Sequence, residues 1–389
     1  MFLLFFLFFS NIFNLEDLIK IAKENSPYIL SLENDFEAKS LEILPSSSLP
    51  NPIFETMYEN IGKAEMSMLN FKVAQNLLYF GKRKILKNIA EERAGLSFNY
   101  LKIAEAEISK RIREIYSELY FLNYQKKGFE EAIELLNSLK VSLTGLLQTG
   151  SIPQENFLKI DTVLSKLEEK IKEIEAEYFT LIKEIERLLG NTIDLKDFKV
   201  DLLPKMNLQE NLEEKALNNS PILNYFEKLL SLKEKELKKN KLDLKPNILA
   251  FSSIGLKEGF EPVFKIGSAV EFPFWKKEKE LPLINAKEKE IESAKNTIQE
   301  EKLKVIEEIK STKERIKKLE ERIKIYKESY LLFSSKGIEA AISLYISGKG
   351  DFSTVIENIN LWVEGKVEVS KLEAEKFKNF SKILFHIEE

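Results

Sequence analysis

Few side chains in this sequence could carry a reaction. There is no cysteine and a single histidine, His386. A thiol nucleophile, a disulfide and a lipid-modified cysteine are excluded, and a histidine-based catalytic or zinc site is unsupported, because such sites draw on several imidazoles or thiolates. The abundant reactive groups are the 63 Asp and Glu and the 59 Lys and Arg. They recur along long polar stretches at helical spacing, which reads as solvated helix surface with i,i+4 pairing. No GxxxxGK[ST], no HExxH and no Ser/His/Asp constellation in a credible context occurs. The chain is therefore not expected to be an enzyme, nor to hold a cofactor or metal. A formal charge of −4 argues against general binding to nucleic acid.

The interest lies in the elements. With 14 Gly and 11 Pro in 389 residues, turns are few and elements long. Four helical stretches dominate: 81–147, 154–189, 283–346 and 352–387. In the first, Ile108, Ile112, Ile115, Leu119 and Leu122 alternate at spacings of four and three, a coiled-coil seam. The second holds the heptad from Phe157, Ile160 and Leu164 through Leu167, Ile171, Ile174, Tyr178, Leu181 and Ile185 to Leu188. The third carries Ile316, Leu319, Ile323, Tyr326, Tyr330 and Phe333 in the same register. The fourth has a looser pattern. A first helix of this extent would be roughly 100 Å long, more than a compact domain of this size contains.

Two segments have period two instead. In 263–272, Phe264, Ile266, Val270 and Phe272 fall on one face, and Lys265 and Glu271 on the other. In 68–76, Leu69, Phe71 and Val73 oppose Asn70, Lys72 and Ala74. Their upstream partners are 53–61 and 247–256, across turns containing Gly62 and Gly259. Strands of this length suit a tilted crossing of a bilayer. Two small soluble hairpins with one buried face are the alternative, although an isolated hairpin is barely stable. At the N-terminus, residues 2–9 (FLLFFLFF) are too short for a spanning helix, which needs about 20 residues. Residues 1–13 read as an atypical secretory signal, without a preceding basic residue or an A-x-A site, or alternatively as a hydrophobic first helix. The mature chain is expected to begin near Asn14.

The pattern repeats. Asn25-Ser26-Pro27 returns as Asn219-Ser220-Pro221, Pro50-Asn51 as Pro246-Asn247, Phe80-Gly81-Lys82-Arg83 as Phe274-Trp275-Lys276-Lys277, and Gly150 as Gly348, all about 195 residues apart. Each half reads helix, hairpin, very long helix, tight turn, long helix. The first repeat is expected over 14–190, a linker over 191–208 and the second repeat over 209–389. Four strands with open edges cannot close a membrane barrel, whose smallest examples use about eight, and unpaired backbone in lipid is costly. Closure must come from several copies, and three would supply twelve strands. The fold class expected is mainly α with a small membrane β-barrel, a trimeric tube.

The opening helix LEDLIKIAKENSPYIL, the phrase VAQNLLYFGKRKILKNIAE, the half-to-half repeat and the turn LYISGKGDFSTVIENINLW resemble those of the TolC-type outer-membrane efflux protein family, from about Leu15 to His386. The resemblance implies a passive exit duct: a homotrimer in the outer membrane of a diderm bacterium. Its helical tube would cross the periplasm and dock onto a periplasmic adaptor protein and an inner-membrane pump. It further implies docking tips at Thr149, Gly150, Ser151, Ser347, Gly348 and Lys349, where each glycine equally serves as a helix C-cap. Entrance carboxylates in some members match Glu357, while the companion position falls on Thr354; Glu357 could equally be a surface helix charge. Phe264, Ile266, Val270, Phe272, Leu69, Phe71 and Val73 would face outer-membrane lipid. The rival reading is a non-membrane coiled-coil scaffold or periplasmic adaptor protein. It accounts for the heptads but not for two hairpins of membrane length, or for the repeat that places one identically in each half.

Overall fold

A computed structural model describes residues 13–62, 67–148, 150, 152–196, 198–206 and 211–388. The apolar run of the expected signal, 2–9, lies outside them. The first described helix, α1 (Leu15–Asn25), starts at Asn14, whose side chain accepts from the Asp17 amide while Asp17 accepts from the Asn14 amide. This reciprocal capping box fixes the helix start. Helix α2 (Pro27–Leu41) and a short α3 (Ile43–Ser46) lead to strands β1 (Ile53–Glu59) and β2 (Met68–Leu77). Helices α4 (Lys82–Gln148) and α5 (Gln154–Leu188) complete the first half. The second half runs α6 (Leu212–Asn219), α7 (Pro221–Asp243), β3 (Asn247–Leu256), β4 (Val263–Glu271), α8 (Glu280–Ile325), a π-helical turn (Tyr326–Tyr330), α9 (Leu331–Ile346) and α10 (Phe352–Ile387).

The repeated Asn-Ser-Pro motif has the same physical role in each half. A residue before proline is pushed out of the helical region. Ser26 (ψ 124°) and Ser220 (ψ 119°) are extended accordingly, and each donates its amide to the carbonyl four residues back, Ala22 or Ala216, at 3.0 Å. The proline then occupies the first position of the next helix, where its missing N–H costs nothing. Both serines are buried. The kink is also where the far end of each half arrives. Gly190, just past α5, packs so closely on the Asn25 carbonyl that a Cβ would lie 2.4 Å from the oxygen. In the second half, Asn219 reaches the Ile387 carbonyl and Ser220 meets His386 at the end of α10.

The four strands form one antiparallel sheet in the order β1-β2-β3-β4, so the two hairpins join through β2 and β3. Within the sheet, β1 pairs only with β2 and β4 only with β3. The first strand ends earlier than the alternation suggested, at Glu59 rather than residue 61, because Asn60 (φ 58°) and Gly62 (φ 87°) turn the chain.

The described residues divide into two compact units. The first comprises those within Met1–Leu30, Ala104–Ser220 and Lys304–Glu389, and is helical. Its core contains the predicted seams: Ile108, Ile112, Ile115, Leu119 and Leu122 of α4 are buried, as are Ile160, Leu167, Ile171, Ile174, Leu181, Ile185 and Leu188 of α5. The segment after α5 lies in extended form beside α4. Asn123 donates to the Val200 carbonyl and Tyr124 to that of Asp201, while Lys127 pairs with Asp201 at 2.7 Å. The second unit comprises Ser31–Ile103 and Pro221–Leu303, among them the sheet and the helix portions next to it, with a small core at Ile85, Ile89 and Leu232.

The third seam needs correction. Ile316 and Leu319 are buried, but Phe333 is 68% exposed. The π turn at Tyr326–Tyr330 accommodates one extra residue. Beyond it every core position moves by one, so that Ile338, Ala341 and Tyr345 point inward. The turn is seated by glycine: a Cβ on Gly365 of α10 would lie 2.7 Å from the Tyr330 ring.

Candidate functional site

Cross-strand partners share a face of the sheet. On β3 and β4, Phe264 stands opposite Ile254, Ile266 opposite Ser252 and Val270 opposite Ile248. On β2 and β3, Leu69 stands opposite Leu256, Phe71 opposite Ile254 and Val73 opposite Ser252. On β1, Phe54 faces Val73 and Tyr58 faces Leu69. Of the apolar residues expected from the two period-two segments, Leu69, Phe71, Val73, Phe264, Ile266 and Val270 thus occupy one face of one sheet, while Phe272 lies past the end of β4. That face holds no charged side chain within the strands, yet much of it meets solvent: Ile266 is 91% exposed and Phe264 76%. An uncharged aromatic and aliphatic face of this size is costly in water.

The opposite face carries the charges. Glu55 and Lys72 are cross-strand partners with an ion pair at 2.9 Å. Lys265 and Glu271 of β4 lie on this side as well. Asn70 sits opposite Gly255, where a Cβ would come within 2.7 Å of its Oδ1. The two faces therefore differ in kind: one suits hydrocarbon, the other water.

The helix turns lie in the other unit. Gly348 follows α9 with φ +74°, its amide donating to the Tyr345 carbonyl and that of Lys349 to Leu344, both at 3.0 Å. These two bonds make a Schellman ending, which satisfies the last carbonyls of the helix. Gly150 follows α4 with φ +70°, its amide donating to the Leu147 carbonyl at 3.0 Å. Thr149 and Ser151 lie outside the described residues. Ser347, Gly348 and Lys349 are exposed. The structure adds what holds the turns together. Asn156, near the start of α5, donates to the Tyr345 hydroxyl at 2.6 Å, and the Tyr345 ring lies 5.1 Å from that of Phe352 at the start of α10. All three side chains are buried. This link between the two halves was not legible in sequence, since its partners are 189 residues apart.

Glu357 and Thr354 are both exposed, one helical turn apart on α10. Glu364, two turns beyond Glu357 on the same side of the helix, is exposed too. Among the described residues no group of three or more His, Asp or Glu side chains has the geometry to hold a metal ion.

The lone histidine is a structural group. His386 is 2% exposed, with Nδ1 3.0 Å from Ser220 Oγ and Nε2 3.3 Å from a Glu308 carboxylate oxygen. The hydrogen bond from His386 holds the Glu308 carboxyl below its ordinary range, against the opposing effect of burial. Nearby, the buried Arg113 pairs with Glu388 at 2.5 Å. Burial pushes the Tyr178 hydroxyl up to about 12; it donates to the Phe198 carbonyl at 2.9 Å.

No family model matches the sequence, and no curated protein matches it. Solved structures do. The channel CusC is similar over 96% of this chain and 91% of its own, at 14% identity and a TM-score of 0.83. The outer-membrane protein VceC of Vibrio cholerae is similar over 96% and 95%, at 13% identity and 0.80. The CmeC outer-membrane channel of Campylobacter jejuni is similar over 96% and 85%, at 12% identity and 0.77. The chain has the fold of these outer-membrane channels, the TolC-type architecture that its motifs resemble.

Proposed function

We propose that this chain, folded as outer-membrane channels are, is one of three copies of a passive exit duct in the outer membrane of a diderm bacterium. The observation that carries the reading is the four-stranded sheet, with one uncharged exposed face and unpaired outer edges on β1 and β4. In hydrocarbon the apolar face is at home, but an open edge is not, because no water is available to satisfy its backbone. Pairing β1 of one copy with β4 of the next closes the sheet, and three copies make a twelve-stranded barrel with the charged face inward.

In this reading 14–190 and 209–389 are the two repeats, and the helices continue the passage on the periplasmic side. The Gly150 and Gly348 turns, with their flanking residues, meet a periplasmic adaptor coupled to an inner-membrane pump, which supplies the energy. Glu357 lines the entrance. Residues 1–13 act as the export signal. The duct itself performs no covalent chemistry.

The test is fractionation and mass. The protein should be recovered with the outer membrane and migrate as a heat-modifiable trimer. Recovery as a soluble protein would favour the coiled-coil scaffold instead.

A further inference from the structure

The two ends of the sheet differ in charge. At the end where β2 and β4 pass into helices, segments 79–84 (YFGKRK) and 272–280 (FPFWKKEKE) carry six Lys or Arg against two Glu. At the hairpin end, segments 60–67 and 257–262 carry two Lys against three Glu. The basic excess is thus local, in a chain whose overall charge is −4. It is also interleaved with exposed aromatic rings: Phe80 is 93% exposed, Phe274, beside Phe272, 82% and Trp275 73%. Lys276, Lys277 and Lys279 are exposed, with no ion pair among the described residues. Beside them, a cleft of about 440 Å³ runs between the ends of α7 and β4 and the start of α8; its own lysines are offset by Asp243, Glu271 and Glu280, with Lys239 paired to Asp243 at 2.7 Å, so the uncompensated charge is that of the rim lysines.

In a bilayer Trp275, whose indole joins an apolar ring to an N–H donor, is most stable at the depth where hydrocarbon gives way to headgroups, with the apolar Phe80 and Phe274 exposed in the same rim segments. Lysines one residue further along reach the phosphate level. A zwitterionic headgroup offers them no net attraction, whereas an anionic one does, by about a factor of five for each lysine near the surface. We infer that the helix-side rim of the sheet, centred on Trp275, Lys276, Lys277 and Lys279, is a binding surface for anionic phospholipid headgroups. The inference rests on the membrane reading above. It adds a lipid preference to it and gives the two rims unequal partners.

The chain has two tryptophans, Trp275 and Trp362. Trp362→Phe therefore leaves Trp275 as a reporter within the rim. The full-length protein carrying this change is reconstituted into phosphatidylcholine vesicles containing a minor fraction of phosphatidylglycerol, with bromine labels on one lipid or the other. The expected result is quenching that corresponds to a preference of about fivefold or more for phosphatidylglycerol. The preference should fall to unity in Lys276→Gln, Lys277→Gln, Lys279→Gln combined, and fall with added salt. Equal quenching by the two lipids overturns the inference. So does loss of the preference on adding inorganic phosphate at constant ionic strength, which would mark a phosphate site and not a lipid surface. A second reporter, Ile266→Trp with both native tryptophans changed to Phe, separates the two failures. Quenching there but none at Trp275 overturns the rim inference alone. No quenching at either position overturns the membrane reading and the inference with it.

Discussion

Ile266 and Lys265 are neighbours in β4 that face opposite ways, and their substitution should have opposite results. Ile266→Arg puts a charge on the apolar face and should cost about 2–4 kcal/mol near the bilayer midplane, seen as a loss of trimer on unheated gels. Lys265→Ala should assemble normally. Equal tolerance of both would mean a one-residue error in register. These positions were legible because period two needs no distant partner. His386 was not. Its partners, Ser220 and Glu308, are 166 and 78 residues away, and nothing local marks them. The linked pH effect has a definite sign. A carboxyl whose folded pKa is depressed stabilises the fold above its ordinary pKa, and the benefit is lost as pH falls through the lower folded value. Glu308→Gln should therefore lower Tm at neutral pH and flatten its decline in acid. A parallel decline in the two proteins would show that the His386 contact carries no linked stability. His386→Ala, which strips partners from two groups, should cost about 1–3 kcal/mol by denaturant melts.

At the scale of the element, Gly150 and Gly348 have left-handed backbones with no atom near the place of a Cβ, so valine there is strained by conformation and not by collision. Replacing both with Val should abolish export while leaving the trimer intact. Loss of the trimer would mean that the turns serve only the fold. The helical stretches themselves were legible within a few residues, since heptads and prolines mark them directly. The π turn was not, because a heptad count assumes an unbroken 3.6-residue helix, and Phe333 was carried to the wrong side. Deleting Glu328, an exposed residue of the turn, should give a continuous α-helix in which Ile338, Ala341 and Tyr345 keep their buried positions. Circular dichroism and Tm should be maintained. A large drop in Tm would show that the π turn is needed for packing against Gly365.

For the whole molecule, the decisive quantity is the number of copies. A mass in mild detergent equal to three chains is expected, and a stable monomer or dimer would sink the twelve-stranded barrel. Entrance behaviour belongs to this scale too, since on the proposed reading three copies would bring their Glu357 side chains into a ring. Glu357→Gln should lower the cation selectivity of single channels, and unchanged selectivity and conductance would return Glu357 to the role of a surface charge. The sequence reached this level only indirectly: four strands with open edges demand partners, whereas the Asn156–Tyr345 link and the joining of both hairpins into one sheet required coordinates. The unpaired edges of β1 and β4 also bear on inheritance. On the proposed closure, a β1 edge is completed by the β4 edge of another copy, so that no chain would make a duct from itself. In a cell producing equal amounts of intact chain and the Gly150→Val, Gly348→Val chain, random mixing around a threefold ring leaves about one assembly in eight free of altered copies. A lesion that spares the sheet but spoils the turns should therefore be dominant, and one that prevents the sheet from pairing should be recessive.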